Sequence, residues 1–120
     1  MTAELVDSTI LIDYLNGIPG AARAVRPDSS MSIISWIEVL AGTRTDTDES
    51  IARAFLARLD VLDLSHAVAE EAVRVRRERR LKLPDAMIWA TARVYALTLV
   101  TRNTKDFPAN DPFVRVPYTL

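Results

Sequence analysis

The sequence predicts a three-layer α/β/α domain around a mostly parallel sheet, and three observations predict it. Short apolar, partly β-branched runs alternate with amphipathic helical stretches from end to end. Most of these runs pass directly into helix-starting residues instead of a hairpin turn, as parallel crossovers require. The C-terminal run, Phe113–Val116, lies between Pro112 and Pro117, a setting that suits an edge strand and not a central one.

In chain order, Ala3–Val6 reads as the first strand and ends in Asp7-Ser8-Thr9, residues that start helices. Ile10, Leu11, Tyr14 and Leu15 then form an apolar helical stripe closed by Gly17, Pro19 and Gly20, and Ala21–Val25 adds a further turn or two. Met31–Ser35 reads as the second strand and runs into a helix over Trp36–Gly42 with Glu38 in its opening turns. Thr45–Asp48 offers caps for a helix through Leu59, with Ile51, Phe55 and Leu59 as its core stripe. Val61–Leu64 is the third strand, and Ser65 opens a long helix carrying Val68, Ala72 and Val75 on one side. Pro84 suits the start of a sixth helical stretch, where its missing N–H costs nothing, and Asp85 follows in the first turn. Ile88 and Ala92 place Asp85 on the apolar side of that helix, an unusual position for a carboxylate. Leu97–Thr101 is a buried strand ending in the polar run Arg102, Asn103, Thr104, Lys105 and Asp106.

Composition narrows the function. A chain of 120 residues, 49% hydrophobic and 26% charged, is one domain's worth over residues 1–120 with material for a real core. No run approaches the ~20 apolar residues of a membrane span, and the N-terminus lacks a signal peptide's basic start, so a cytoplasmic protein without membrane partners is expected. With no cysteine, thiolate metal sites are excluded and any metal must take oxygen ligands. The three glycines form no phosphate-binding loop, which argues against a nucleotide cofactor. Net charge is −1, yet Arg74, Arg76, Arg77, Arg79, Arg80 and Lys82 fall within nine positions that lead to Asp85. Such a cluster is either a solvated helix end answering its dipole or a track for a phosphate backbone. His66, the lone histidine, follows the predicted cap Ser65 and reads as a surface residue. Trp36 and Trp89 read as core or interface residues before stacking platforms.

Asp7, Glu38 and Asp85 are carboxylates at strand-to-helix junctions or helix starts, where a parallel sheet gathers ligand-binding groups. Acids clustered without a base repel unless a hard divalent cation joins them, and oxygen ligands suit Mg²⁺ or Mn²⁺. Asp13, six positions beyond Asp7 and about 9 Å along the helix, is left outside this group.

The chain resembles the PIN-domain nucleases, and within them the VapC toxins of bacterial toxin–antitoxin pairs. The resemblance spans nearly the whole chain and is carried by LVDSTILIDYL with Asp7, SIISWIEVLAG with Glu38, LPDAMIWATA with Asp85, and LTLVTRNTKDF. It implies a PIN-like domain acting as a metal-dependent endoribonuclease, with Asp7, Glu38 and Asp85 holding Mg²⁺, or Mn²⁺ in its place. Where many family members carry a fourth Asp this chain has Asn103, so Asn103 is expected at the site edge and Asp106 as a second-metal or supporting ligand. Arg76, Arg77, Arg80 and Arg102 are the expected RNA contacts. Thr9 and Thr101 are read either as hydrogen-bond donors to ligand carboxylates or phosphate, or as a cap and a strand end. The resemblance also implies an RNA substrate from structured or single-stranded loops, a VapB-type antitoxin that blocks the acidic site, and a homodimer. Two alternatives stay open: a receiver-type signalling domain, which has a similar size and acids at strand ends, and an inactive PIN-like binding module.

Overall fold

The computed structural model describes residues 3–120. Five strands form one sheet: β1 (Glu4–Val6), β2 (Ser30–Ser32), β3 (Asp60–Leu62), β4 (Thr98–Val100) and β5 (Val114–Arg115). They lie in the order β3-β2-β1-β4-β5, and every pairing is parallel. The connections are α1 (Ser8–Leu15), α2 (Pro19–Ala24), α3 (Ile33–Ala41), α4 (Asp46–Leu56), α5 (His66–Arg79) and α6 (Leu83–Val94). From β1 the chain moves outward to β2 and β3, then crosses to β4 on the other side of β1. This makes the gap beyond the carboxyl ends of β1 and β4 the point where strand order reverses, the position at which open parallel sheets bind ligands.

Alternation along the strands builds two cores. Leu5 and Leu99 face one side, with Val68, Ala72 and Val75 of α5 and Ile88 and Trp89 of α6. Val6 and Val100 face the other, with Ile10 and Leu11 of α1, Val39 of α3, and Phe55 and Leu56 of α4. A sheet covered on both faces is what continuous apolar strands demand. Burying a side chain such as Leu5 or Ile88 completely contributes about 1.5–3 kcal/mol. Trp89 is part of the first core, edge-on to Phe107 at 5.5 Å, with Arg79 and Arg93 against its ring. It is therefore no platform for a nucleotide base. β5 closes the sheet edge as its prolines predict, held by a two-pronged pair from Arg115 to Glu4 of β1 at 2.7 and 3.0 Å.

Among the boundaries that differ from the sequence reading, three change which side chains are buried or capped. The second strand ends at Ser32 and not at Ser35, because the Ser32 hydroxyl accepts from the Ile34 N–H and caps α3 three residues earlier. The fourth helix stops at Leu56 instead of Leu59, so Leu59 is buried from a turn, while Ile51 is 57% exposed and lines a surface groove with Ile12. Residues four apart also drift round a helix by about 40° per step, which carries Ile51 off the buried face. The third strand covers Asp60–Leu62 and leaves Leu64 exposed.

Candidate active site

Asp7 terminates β1 and occupies the cap position of α1, yet its carboxylate makes no cap hydrogen bond. Its Oδ2 instead accepts from Thr9 Oγ1 at 2.9 Å and Thr101 Oγ1 at 2.8 Å, with the residue only 3% exposed. The two threonines thus serve a carboxylate at the strand-order reversal, one from each side of it. The Asp7 N–H donates to the Val100 carbonyl at 2.8 Å, continuing the β1–β4 ladder into the site.

Glu38 comes from the second turn of α3 and is exposed. Its Oε1 accepts from the Ser8 hydroxyl at 2.6 Å, which ties it to the residue following Asp7 across thirty positions of sequence. Ser8 is buried, and its residue type marks it in the sequence only as a helix starter. Asp85 sits in the first turn of α6, on the side of the buried Ile88 and Ala92. Its carboxyl is pushed up from 3.8 to about 6, first by burial and then by the negative charges of Asp106, Asp7 and Glu38. A helix N-terminus ordinarily favours a carboxylate's charge, so burial and the neighbouring acids outweigh the dipole here.

Those four acids therefore share one electrostatic neighbourhood. Among the described residues they do not converge into a ready three-ligand cage. An oxygen-only donor set carrying excess negative charge fits a hard divalent cation such as Mg²⁺.

Asn103 and Asp106 stand in the loop after β4. The Asn103 N–H donates to Thr101 Oγ1 at 2.9 Å, its side-chain amide donates to Asp106 Oδ2 at 3.0 Å, and the Asp106 N–H returns to Asn103 Oδ1 at 3.4 Å. Asn103 thus braces Asp106, and it is the Asp106 carboxylate that acts most strongly among the charges on Asp85.

The expected RNA contacts separate into three kinds. Arg77 and Arg80 are exposed near the end of α5, with no acidic partner among the described residues. Arg80 takes left-handed backbone angles, φ 54° and ψ 35°, at the helix end, where glycine is the usual choice. Arg76 donates to the Leu81 carbonyl and closes the turn toward α6. Arg102 turns inward, contrary to its expected place at the RNA: Nε and Nη2 grip Asp13 at 2.7 and 3.0 Å. Asp13 is 5% exposed and also accepts from the Tyr118 hydroxyl at 2.8 Å. The Arg102 hydrogen bond holds the Asp13 carboxyl below its ordinary value, while burial and Asp13 push the Tyr118 phenol up to about 12. His66 is solvent-facing, as its position predicted.

The parallel sheet runs in the order β3-β2-β1-β4-β5 with Asp106, Asp7 and Glu38 within electrostatic reach of Asp85, which is a PIN-like α/β arrangement, and residues 5–111 match the PIN domain. The chain belongs to the PIN-domain family. Ribonuclease VapC10 of Mycobacterium tuberculosis is 35% identical over 114 residues, covering 87% of this chain and 85% of that protein. A chain of a toxin–antitoxin complex from Klebsiella pneumoniae is 40% identical and superposes with a TM-score of 0.90, over 98% of this chain and 100% of the other. VapBC2 from Rickettsia felis, bound to a DNA fragment from its promoter, shares the fold with a TM-score of 0.80 at 20% identity, over 94% and 97% of the two chains. No helix among the described residues is long and apolar enough to cross a membrane.

Proposed function

We propose that the protein is a Mg²⁺-dependent endoribonuclease that acts as the toxin of a VapBC-type pair, with Mn²⁺ able to replace Mg²⁺. The observation that carries this reading is the Asp85 carboxyl, held near 6 by burial and by Asp106, Asp7 and Glu38 at the reversal point of the sheet. Burial and like charges disfavour the ionised form of this group, and a bound cation would offset that penalty. The similarity to Ribonuclease VapC10 supports RNA as the substrate, and the likeness to a chain of a toxin–antitoxin complex supports a VapB-type antitoxin as the partner that blocks the site.

In this reading Asp7, Glu38 and Asp85 hold the metal and Asp106 is a further ligand. When bound, the cation polarises the scissile phosphate and activates water for phosphodiester hydrolysis. Thr9 and Thr101 fix the Asp7 carboxylate, Ser8 orients Glu38, and Asn103 braces Asp106 beside Asp85. With its carboxyl at about 6, Asp85 is mostly ionised at neutral pH and available there as a charged ligand. Arg77 and Arg80 track the RNA backbone, Arg76 shapes their turn, and a homodimer is the working assembly.

The test is cleavage of RNA by purified protein in Mg²⁺, in EDTA and with Asp7→Asn. Cleavage in Mg²⁺ alone, lost in the variant, is expected. RNA binding without cleavage under all three conditions returns the protein to the inactive binding-module reading.

A further inference from the structure

The Asp13 network lies outside the acid cluster but reaches it through the backbone. Arg102 directs its guanidinium to Asp13, while its own N–H donates to Thr9 Oγ1 at 3.2 Å. Thr9 is one of the two donors to Asp7 Oδ2, and the residues flanking Arg102 are Thr101, the other donor, and Asn103, the brace for Asp106. One side chain therefore anchors the middle of a three-residue stretch whose two neighbours address Asp7 and Asp106.

The far end of this anchor comes from the C-terminal tail. Tyr118 bonds Asp13 across 105 positions of sequence, and its ring lies directly on the backbone of α2. A Cβ at Gly20 would come within 2.6 Å of Tyr118 Cγ and 2.8 Å of Cδ1, so glycine is what admits the ring. Two independent fittings, an aromatic seat at Gly20 and a buried carboxylate acceptor at Asp13, thus hold one tail residue in place.

We propose that Tyr118, through Asp13 and Arg102, is a positioning residue for the nuclease site, with the tail acting as a strap that sets the Thr101–Asp106 loop against Asp7 and Asp85. This rests on the metal-dependent nuclease reading. The strap makes Arg102 a fixture of the loop and not a phosphate contact. Its two-pronged grip needs the planar guanidinium, which lysine does not reproduce despite equal charge.

The experiment pairs Tyr118→Phe, which keeps the ring at Gly20 and removes only the hydroxyl, with Arg102→Lys. Hydrogen–deuterium exchange of residues 101–107 is read beside the Mg²⁺ dependence and single-turnover rate of RNA cleavage. Both variants are expected to exchange faster in that loop, to need more Mg²⁺ and to cleave about tenfold more slowly, with the RNA KM and its salt dependence unchanged. Unchanged exchange, or faster exchange with parental Mg²⁺ dependence and rate, overturns the proposal. An Arg102→Lys variant with parental exchange and a weaker salt dependence makes Arg102 a phosphate contact after all. A parent that cleaves no RNA in Mg²⁺ removes the nuclease reading instead, and loop exchange in the variants still decides whether the strap holds the loop.

Discussion

Replacing Asp85 by Asn should stabilise the metal-free protein at neutral pH while abolishing most of what Mg²⁺ adds. The carboxyl lies at about 6 in the fold against an ordinary 3.8. Because the folded value is the higher one, this group favours the fold below 3.8, and the contribution is lost as pH rises through the window from 3.8 to about 6. Above that window the ionised carboxylate is a standing penalty. A gap of about two pH units corresponds to about 3 kcal/mol at full weight. Asp85 is only partly buried, and Asn keeps a polar group in the same place, so a net gain on the order of 1–2 kcal/mol is expected, or roughly 4–8 °C in Tm. The gain should shrink at pH 4, where the parent carboxyl is already mostly protonated. Mg²⁺, binding only the folded form, should raise the parent's Tm and barely move the variant's. The assay is a set of melting curves for parent and variant at pH 4 and 7.5, each in EDTA and in Mg²⁺. A variant that melts below the parent in EDTA at pH 7.5, with no Mg²⁺ gain in the parent, would make Asp85 a simple helix-start residue and refute the reasoning.

Asp7→Asn and Glu38→Gln should each lower RNA cleavage by about 100-fold or more with the fold intact by circular dichroism, since each removes a charged ligand. Neutralising Arg77 and Arg80 should weaken RNA binding and flatten its salt dependence by about one unit of slope per lost phosphate contact, whereas Arg76→Gln should mainly loosen the α5–α6 turn. Arg80→Gly should add about 0.5–1 kcal/mol of stability, relief of left-handed backbone less glycine's entropy, while still weakening RNA binding; a variant that binds RNA like the parent leaves Arg80 without a role in recognition. The Mg²⁺ midpoint for cleavage should rise about tenfold between pH 7.5 and pH 5, because a proton competes at Asp85. A flat midpoint across that range would mean Asp85 does not ligate the metal.

The sequence revealed what depends on local order. Asp7 at the end of β1 and Asp85 in the first turn of α6 were legible because strand ends and helix starts leave marks in residue type, and alternation of such marks implies the parallel sheet. Glu38 is legible as an acid early in a helix, but Ile33 and Ile34 favour strand by residue type, and the Ser32 cap places them in α3. Partnerships across distance left no mark. Ser8 meets Glu38 across thirty positions, and Arg102 and Tyr118 meet Asp13 across 89 and 105. The helical rise that carries Asp13 away from Asp7 leaves no sign of the arginine and tyrosine that Asp13 holds. The charge of Arg102 does not distinguish an arginine facing solvent from one turned onto a buried carboxylate.

The central claim is that Asp7, Glu38, Asp85 and Asp106 form a single cation site. Titrating Mn²⁺ into the ¹⁵N-labelled protein while recording backbone amide spectra tests it most directly, because the paramagnetic ion broadens only the amides around it. Selective loss of the signals of Asp7, Ser8, Glu38, Asp85 and residues 101–106, reversed by Mg²⁺ and absent in Asp7→Asn, is the expected result. Uniform weak broadening over the acidic surface, the same in parent and variant, would contradict it.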